Sequence, residues 1–217
     1  MPGRILVLAP HAMDEVLGCG GTMLRRRAEG ADIRVLVLCG DGMGQDGARR
    51  EHAASAAATI DVPPYEFAGF PENRSDTVPL ATIVSRIEGA IAAFAPDTVL
   101  LPYGGSLNVD HTNVWRAGMT ALRPVPGHPT RRILAYEILS STEWAPPGWG
   151  EAFRPTRFVD IGVWLDRKLE ALALYRSDAR TFPHARAPEA VRALAVTRGV
   201  AVGLAAAEAF VVARDRD

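Results

Sequence analysis

Two short stretches hold the residues of this chain that could do chemistry together. The first, LVLAPHAMDEVLGCGGTM at residues 7–24, sets His11, Asp14 and Glu15, with Met13 among them, at the end of an apolar run. The second, PYGGSLNVDH at residues 102–111, carries Tyr103, Ser106 and Asn108 and ends in Asp110 and His111. An imidazole and a carboxylate three positions apart in a turn can share one ion at about 2.0–2.2 Å. A second imidazole would complete two nitrogens and one oxygen, with a position left for water, a common catalytic zinc set. His111 can join His11 and Asp14 only if the fold brings the two stretches together.

Each residue also has a plainer use. A single His at a strand end is more often a surface or hydrogen-bonded group than a ligand. Asp14 or Glu15 could simply favour the first turn of a helix. The GCGG run could be a nucleotide-binding turn, but Gly18, Gly20 and Gly21 do not meet GxGxxG. Carboxylates also precede them where a phosphate would sit. None of these readings explains a His at one strand end together with Asp-His at another.

The elements that must position these residues follow from hydrophobic patterning. Residues 4–9 and 33–39 are continuous, β-branched apolar runs, the pattern of central parallel strands covered on both faces. Between them residues 15–29 carry helical spacing and stop at Gly30, which makes a right-handed βαβ unit. The alternation continues with a helix over 47–60, a strand over 64–68 and a helix over 79–94. Then come a strand over 98–102, a helix over 109–122 and a strand over 132–139. Residues 144–156 are rich in Pro, Gly and Trp, an irregular loop or lid. A short strand FVDI, helices over 163–176 and 188–199, and a last apolar run AFVVAR complete the chain. The expected fold is α/β, a Rossmann-like three-layer sandwich with a mostly parallel central sheet and helices on both faces. Residues 1–217 form one domain in this reading, because no polar linker divides off the part from 140 to 217. In such sheets ligands sit beyond the carboxyl ends of the strands, where His11, Asp14, Asp41, Asp110 and His111 fall.

With 217 residues, 48% of them hydrophobic, the chain can bury a full core. A net charge of −1 points away from nucleic acid and from an anionic membrane. The absence of a long apolar span or a signal peptide, with only Cys19 and Cys39, fits a reducing cytoplasm.

At the residues quoted above the chain resembles the PIG-L/LmbE family of metal-dependent N-deacetylases. The family signature A-H-P-D-D-E, or A-P-H-A-D-D-E-V-L-G-C-G-G in one branch, stands here as APHAMDEVLGCGGTM. That branch's G-G-D-L-N-x-D-H stands here as GGSLNVDH. GFPENRSD, SSTEW and FPHARAPEAVRALAVTRG are similar to the same branch, so the likeness spans nearly the whole chain. It implies that His11, Asp14 and His111 hold zinc or another divalent metal. It also implies hydrolysis of an N-acyl group on an amino sugar or glycosylated small metabolite, with water at the metal as nucleophile. Asp14, Asn108, Asp110, Tyr103 and Met13 then fall in the catalytic machinery. Asp41, Arg74 and His184 are the candidate substrate-binding residues. A homo-oligomer is a further implication that no pattern in this chain specifies.

The departures from the family pattern bear on activity. Met13 stands where the family carries its general base, and a thioether accepts no proton. General-base help is worth roughly 10²–10⁴ in rate. Ser106 replaces the branch's Asp, and Pro102 and Tyr103 replace a His pair. Asn108 stands where many members have a carbonyl-polarising His, but the closer branch carries the same Asn, so it is no departure from that branch. The metal set is kept while nearby polar groups are lost. The second reading is therefore a repurposed metalloenzyme or a metal-binding pseudoenzyme. A nucleotide-binding domain without metal is the third.

Overall fold

The apolar runs pair into a single sheet. The structure, a computed structural model, describes residues 3–40, 47–176 and 180–217. Strands β1 (Arg4–Ala9), β2 (Asp32–Cys39), β3 (Glu66–Phe70), β4 (Thr98–Pro102), β5 (Arg132–Tyr136), β6 (Arg157–Asp160) and β7 (Ala207–Asp215) lie in the order β3-β2-β1-β4-β5-β7-β6. The first five are parallel, and β7 runs antiparallel to both β5 and β6. This is the expected mostly parallel sheet. Its helices are α1 (Asp14–Ala28), α2 (Gly47–Ile60), α3 (Leu80–Phe94), α4 (Val109–Ala121), α5 (Leu165–Ala173) and α6 (Pro188–Val200).

Alternation along β1 divides the core between the two faces. Ile5, Val7 and Ala9 pack with residues of α1, α2, α5 and α6, and Leu6 and Leu8 pack with residues of α3 and α4. Successive strand side chains point to opposite faces, so a run apolar at every position must be covered twice. Among the described residues no helix is long and apolar enough to cross a membrane.

Some boundaries differ from the sequence reading for local reasons. The strand expected at 64–68 lies at Glu66–Phe70, because Pro63 and Pro64 offer no N–H to the ladder. The strand expected at 132–139 ends at Tyr136. Beyond it Ile138 and Thr142 bond reciprocally, with Thr142 N–H donating to the Ile138 carbonyl and Ile138 N–H to Thr142 Oγ1. The helix expected from 163 begins as a short 3₁₀ turn at Gly162–Trp164 before α5.

Helix α1 is broken at Cys19, whose φ is −147° and ψ 19°. The carboxylate of Glu208, on β7, accepts from the N–H groups of Gly21 (2.9 Å) and Thr22 (2.6 Å), as a cap for the second half of the helix. Buried Lys168 on α5 balances that charge at 2.6 Å and also donates to the Leu17 carbonyl at 2.8 Å. The glycines of this segment serve packing. A Cβ on Gly18 would meet the Tyr136 ring at 2.1 Å, and one on Gly21 would meet Ile161 at 2.8 Å.

Candidate metal centre

Strand β1 has β2 on one side and β4 on the other. The strand order reverses there, which opens a crevice beyond the carboxyl ends. His11 follows β1, and His111 sits in the first turn of α4, after β4. The topology thus supplies the adjacency that spacing alone could not.

Asp14 Oδ2 lies 3.2 Å from His11 Nδ1 and 3.3 Å from His111 Nε2. One donor atom from each of the three residues lies within 4.8 Å of the others. Asp14 and His111 are fully buried, and His11 is nearly so. The backbone N–H of His11 also donates to Asp14 Oδ2 at 3.0 Å, which fixes the carboxylate in the turn.

The outer nitrogen of each imidazole is engaged. His11 Nε2 lies 2.7 Å from Asp110 Oδ2, and His111 Nδ1 lies 3.0 Å from Ser106 Oγ. Their inner nitrogens turn toward Asp14. Nε2 of His111 is buried without a hydrogen-bond partner. A buried polar atom left unsatisfied costs about 1–3 kcal/mol, so the arrangement calls for an occupant. Two ligands on a tetrahedral ion at 2.0–2.1 Å stand about 3.3 Å apart, close to both measured separations. The donor set therefore fits a divalent metal. A carboxylate or hydroxyl on the far nitrogen of each imidazole is the usual support of such ligands.

Charge in the site agrees. Burial by itself lowers the His11 pKa, but its bonds to Asp110 and Asp14 raise it to about 9. Burial would raise Asp14, yet the charge of His111 and the bond from His11 hold it well below the usual carboxylate range. Asp110 is likewise held low against its burial, by His11 and Ser75. Two ionised carboxylates thus face His11, a place suited to positive charge. Cys39, close by, is pushed upward by burial and by the Asp110 charge, which disfavours its thiolate.

Asp110 is saturated. It accepts from the backbone N–H groups of Asn73 (2.6 Å) and Ser75 (3.0 Å) as well as from His11. Asn108 caps α4, its Oδ1 accepting from Asp110 N–H at 2.8 Å, and its Nδ2 donates to Asn73 Oδ1. The loop after β3 is thereby clamped to the start of α4. The stretch FPENRSD lies at that strand end, and its side chains do not mark the main-chain donors. Their only sequence signal is that position.

Other expected site residues are placed differently. Met13 is 3% exposed, packed in the core, with a φ of 94°. Its N–H donates to Glu15 Oε2 at 2.9 Å, and Glu15 also accepts from Tyr175 Oη at 2.7 Å. Burial pushes the Glu15 carboxyl up to about 7. Tyr103 donates its hydroxyl to the carbonyls of Glu151 and Ala152, so it holds the 144–156 loop and does not address the ligand atoms. His184 Nδ1 accepts from Arg186 N–H, and its ring stands edge-on to Trp144 at 5.5 Å. Arg74 is exposed beside the Asn73 and Ser75 donors. Asp41 lies outside the described residues. His52 packs against Tyr175 with a buried Nδ1. Of the other acids nearby, Glu72 pairs with Arg49 at 2.6 Å.

Comparisons with known proteins bear on the family and on the fold. The model of the PIG-L family, described as GlcNAc-PI de-N-acetylase, matches residues 6–122. The chain is 27% identical over 181 residues to the uncharacterized deacetylase YaiS of Escherichia coli strain K12, covering 80% of this chain and 90% of that protein. The crystal structure of conserved protein TT1542 from Thermus thermophilus superposes with a TM-score of 0.80 at 27% identity, covering 99% of this chain and 96% of that one. N,N'-diacetylchitobiose deacetylase from Pyrococcus horikoshii shares the fold with a TM-score of 0.79 at 18% identity, over 98% of this chain and 84% of its own. The family match covers more than half of the residues and includes the stretches that carry His11, Asp14 and His111. The chain belongs to the PIG-L family of de-N-acetylases.

Proposed function

We propose that this protein hydrolyses the N-acyl amide of an amino sugar or of a glycosylated small metabolite, with zinc or another divalent metal held by His11, Asp14 and His111. The observation that carries the reading is His111 Nε2, buried, without a hydrogen-bond partner and 3.3 Å from Asp14 Oδ2. Family membership supports amide hydrolysis, and the chitobiose deacetylase fold supports a sugar substrate.

A metal bound there would polarise the amide carbonyl and lower the pKa of water. The protein's own groups set that up. Asp110 accepts a hydrogen bond from Nε2–H of His11, which leaves the Nδ1 lone pair free for a metal. Ser106 does the same service at His111 Nδ1. Asp14 supplies the negative charge. Asn108 and Asp110 act here through the loop at Asn73 and through His11, as positioning residues. Asp41, Arg74 and His184 remain proposed contacts for the substrate. The same reading takes residues 140–217 as part of one domain, since β7 and α5 grip α1. It also takes the setting as cytoplasmic, in keeping with two free thiols, and the assembly as a homo-oligomer.

The test is elemental analysis beside acetate release from N-acetylglucosamine and N,N'-diacetylchitobiose. About one equivalent of metal, lost in His111→Ala, with acetate released by the native protein, is the expected result. No metal even after zinc is supplied would sink the hydrolase reading.

Burial of Met13 favours a second reading, a metalloenzyme with altered chemistry or a metal-binding pseudoenzyme. Met13→Asp separates the two. A rise in hydrolysis of ~10² or more would mean that the native chain lacks a working base. A fall would place Met13 in a working, altered site.

A further inference from the structure

A cavity of about 340 Å³ lies at the amino ends of the strands, opposite the metal set, between the second half of α1 and the sheet. That volume falls in the range of small-molecule sites, about 300–1,000 Å³. Its floor is apolar: Ile5, Leu100, Leu134 and Val159, all buried. Its polar wall holds Arg26, Arg132 and Arg157, with Glu29 and Asp97.

Two polar groups in this wall have no partner. The hydroxyl of Thr22, a residue 3% exposed, bonds to nothing. Helical threonines normally bond back to the carbonyl four residues earlier. Thr59, Thr120 and Thr197 do so here at 2.8–3.0 Å. For Thr22 that carbonyl belongs to Gly18, on the other side of the break at Cys19. The break frees the hydroxyl while Glu208 occupies the Thr22 N–H. The second group is Arg157 Nε, buried and unpartnered. Arg26 pairs with Glu29 and Arg132 with Asp215, but among the described residues no carboxylate bonds to Arg157. Burial, then the charges of Arg132 and Arg26, lower its pKa, and the charge of Asp215, which pairs with Arg132, offsets this only in part.

We propose that this cavity is a second binding site, for a small organic carboxylate with an apolar body. The carboxylate would accept from Arg157, whose fork suits that group, and from the Thr22 hydroxyl. The body would lie on Ile5, Leu100, Leu134 and Val159. Glu29 and Asp97 at the same wall oppose a dianion, so a phosphate is disfavoured.

Calorimetric titration of the metal-loaded protein with benzoate and with inorganic phosphate tests this. Benzoate binds one to one, and phosphate binds at least tenfold more weakly. Arg157→Gln weakens benzoate at least tenfold, and Thr22→Val, nearly isosteric, weakens it several-fold if Arg157→Gln does not fold. Binding persists in His111→Ala, which removes the metal as an alternative carboxylate site. No benzoate binding, equal binding of phosphate, unchanged affinity in Thr22→Val, or loss only in His111→Ala would each overturn the proposal.

Discussion

Ser106 Oγ stands 3.0 Å from His111 Nδ1, and this contact turns the other imidazole nitrogen toward Asp14. Ser106 is itself pinned, because the Trp149 indole N–H donates to its carbonyl at 3.0 Å. The two histidines therefore have unequal support: a carboxylate on His11 and a hydroxyl on His111. Loss of such outer support costs about 10–100-fold in metal affinity. Ser106→Ala should show that loss in a chelator competition titration, while Ser106→Asp should bind metal at least as tightly as the native protein.

Asp110 accepts three hydrogen bonds from two segments, the turn after β1 and the loop after β3. Asp110→Asn keeps the size but loses an acceptor and the charge. Metal affinity should fall about 10–100-fold. Urea unfolding of the metal-free protein should show about 1–3 kcal/mol of lost stability from the donor left unpaired.

Met13 combines burial with a positive φ, a conformation costing about 1–3 kcal/mol for a side chain other than glycine. Removing the side chain opens the core, which costs about 2–5 kcal/mol for Met→Ala. Met13→Gly opens the same space but releases the backbone. Met13→Gly should therefore be at least as stable as Met13→Ala in denaturant titration, the reverse of the order in a helix interior.

Lys168 and Glu208 form a buried pair at 2.6 Å, and Glu208 also caps the second half of α1. Lys168→Met strands that charge and should cost about 3–5 kcal/mol. The double variant Lys168→Met with Glu208→Gln should recover part of the loss, since a neutral amide oxygen still accepts from an α1 N–H. Equilibrium unfolding of the single and double variants checks both values.

The strands, their parallel pairing and the members of the His-Asp-His group were legible in the chain because each rests on local information. Continuous β-branched runs specify doubly covered strands, and His11 and Asp14 share one turn. His111 could be named, but its union with them rests on the pairing of β1 with β4, a contact between residues far apart in the chain. The support of the site was not legible for the same reason. Ser106 read as the replacement of a carboxylate, and Asn108 and Tyr103 as members of the catalytic machinery. Only tertiary packing shows the contacts they make: Ser106 with the His111 imidazole, Asn108 with the first turn of α4, and Tyr103 with the 144–156 loop. Lys168 and Glu208 carry no motif at all. A hydrogen bond between elements distant in sequence leaves no periodic trace, because its geometry exists only once the sheet has brought both ends together. The sequence by itself determined which donor atoms were available and on which elements. The fold decided which nitrogen of each histidine faces Asp14, and that Met13 is buried.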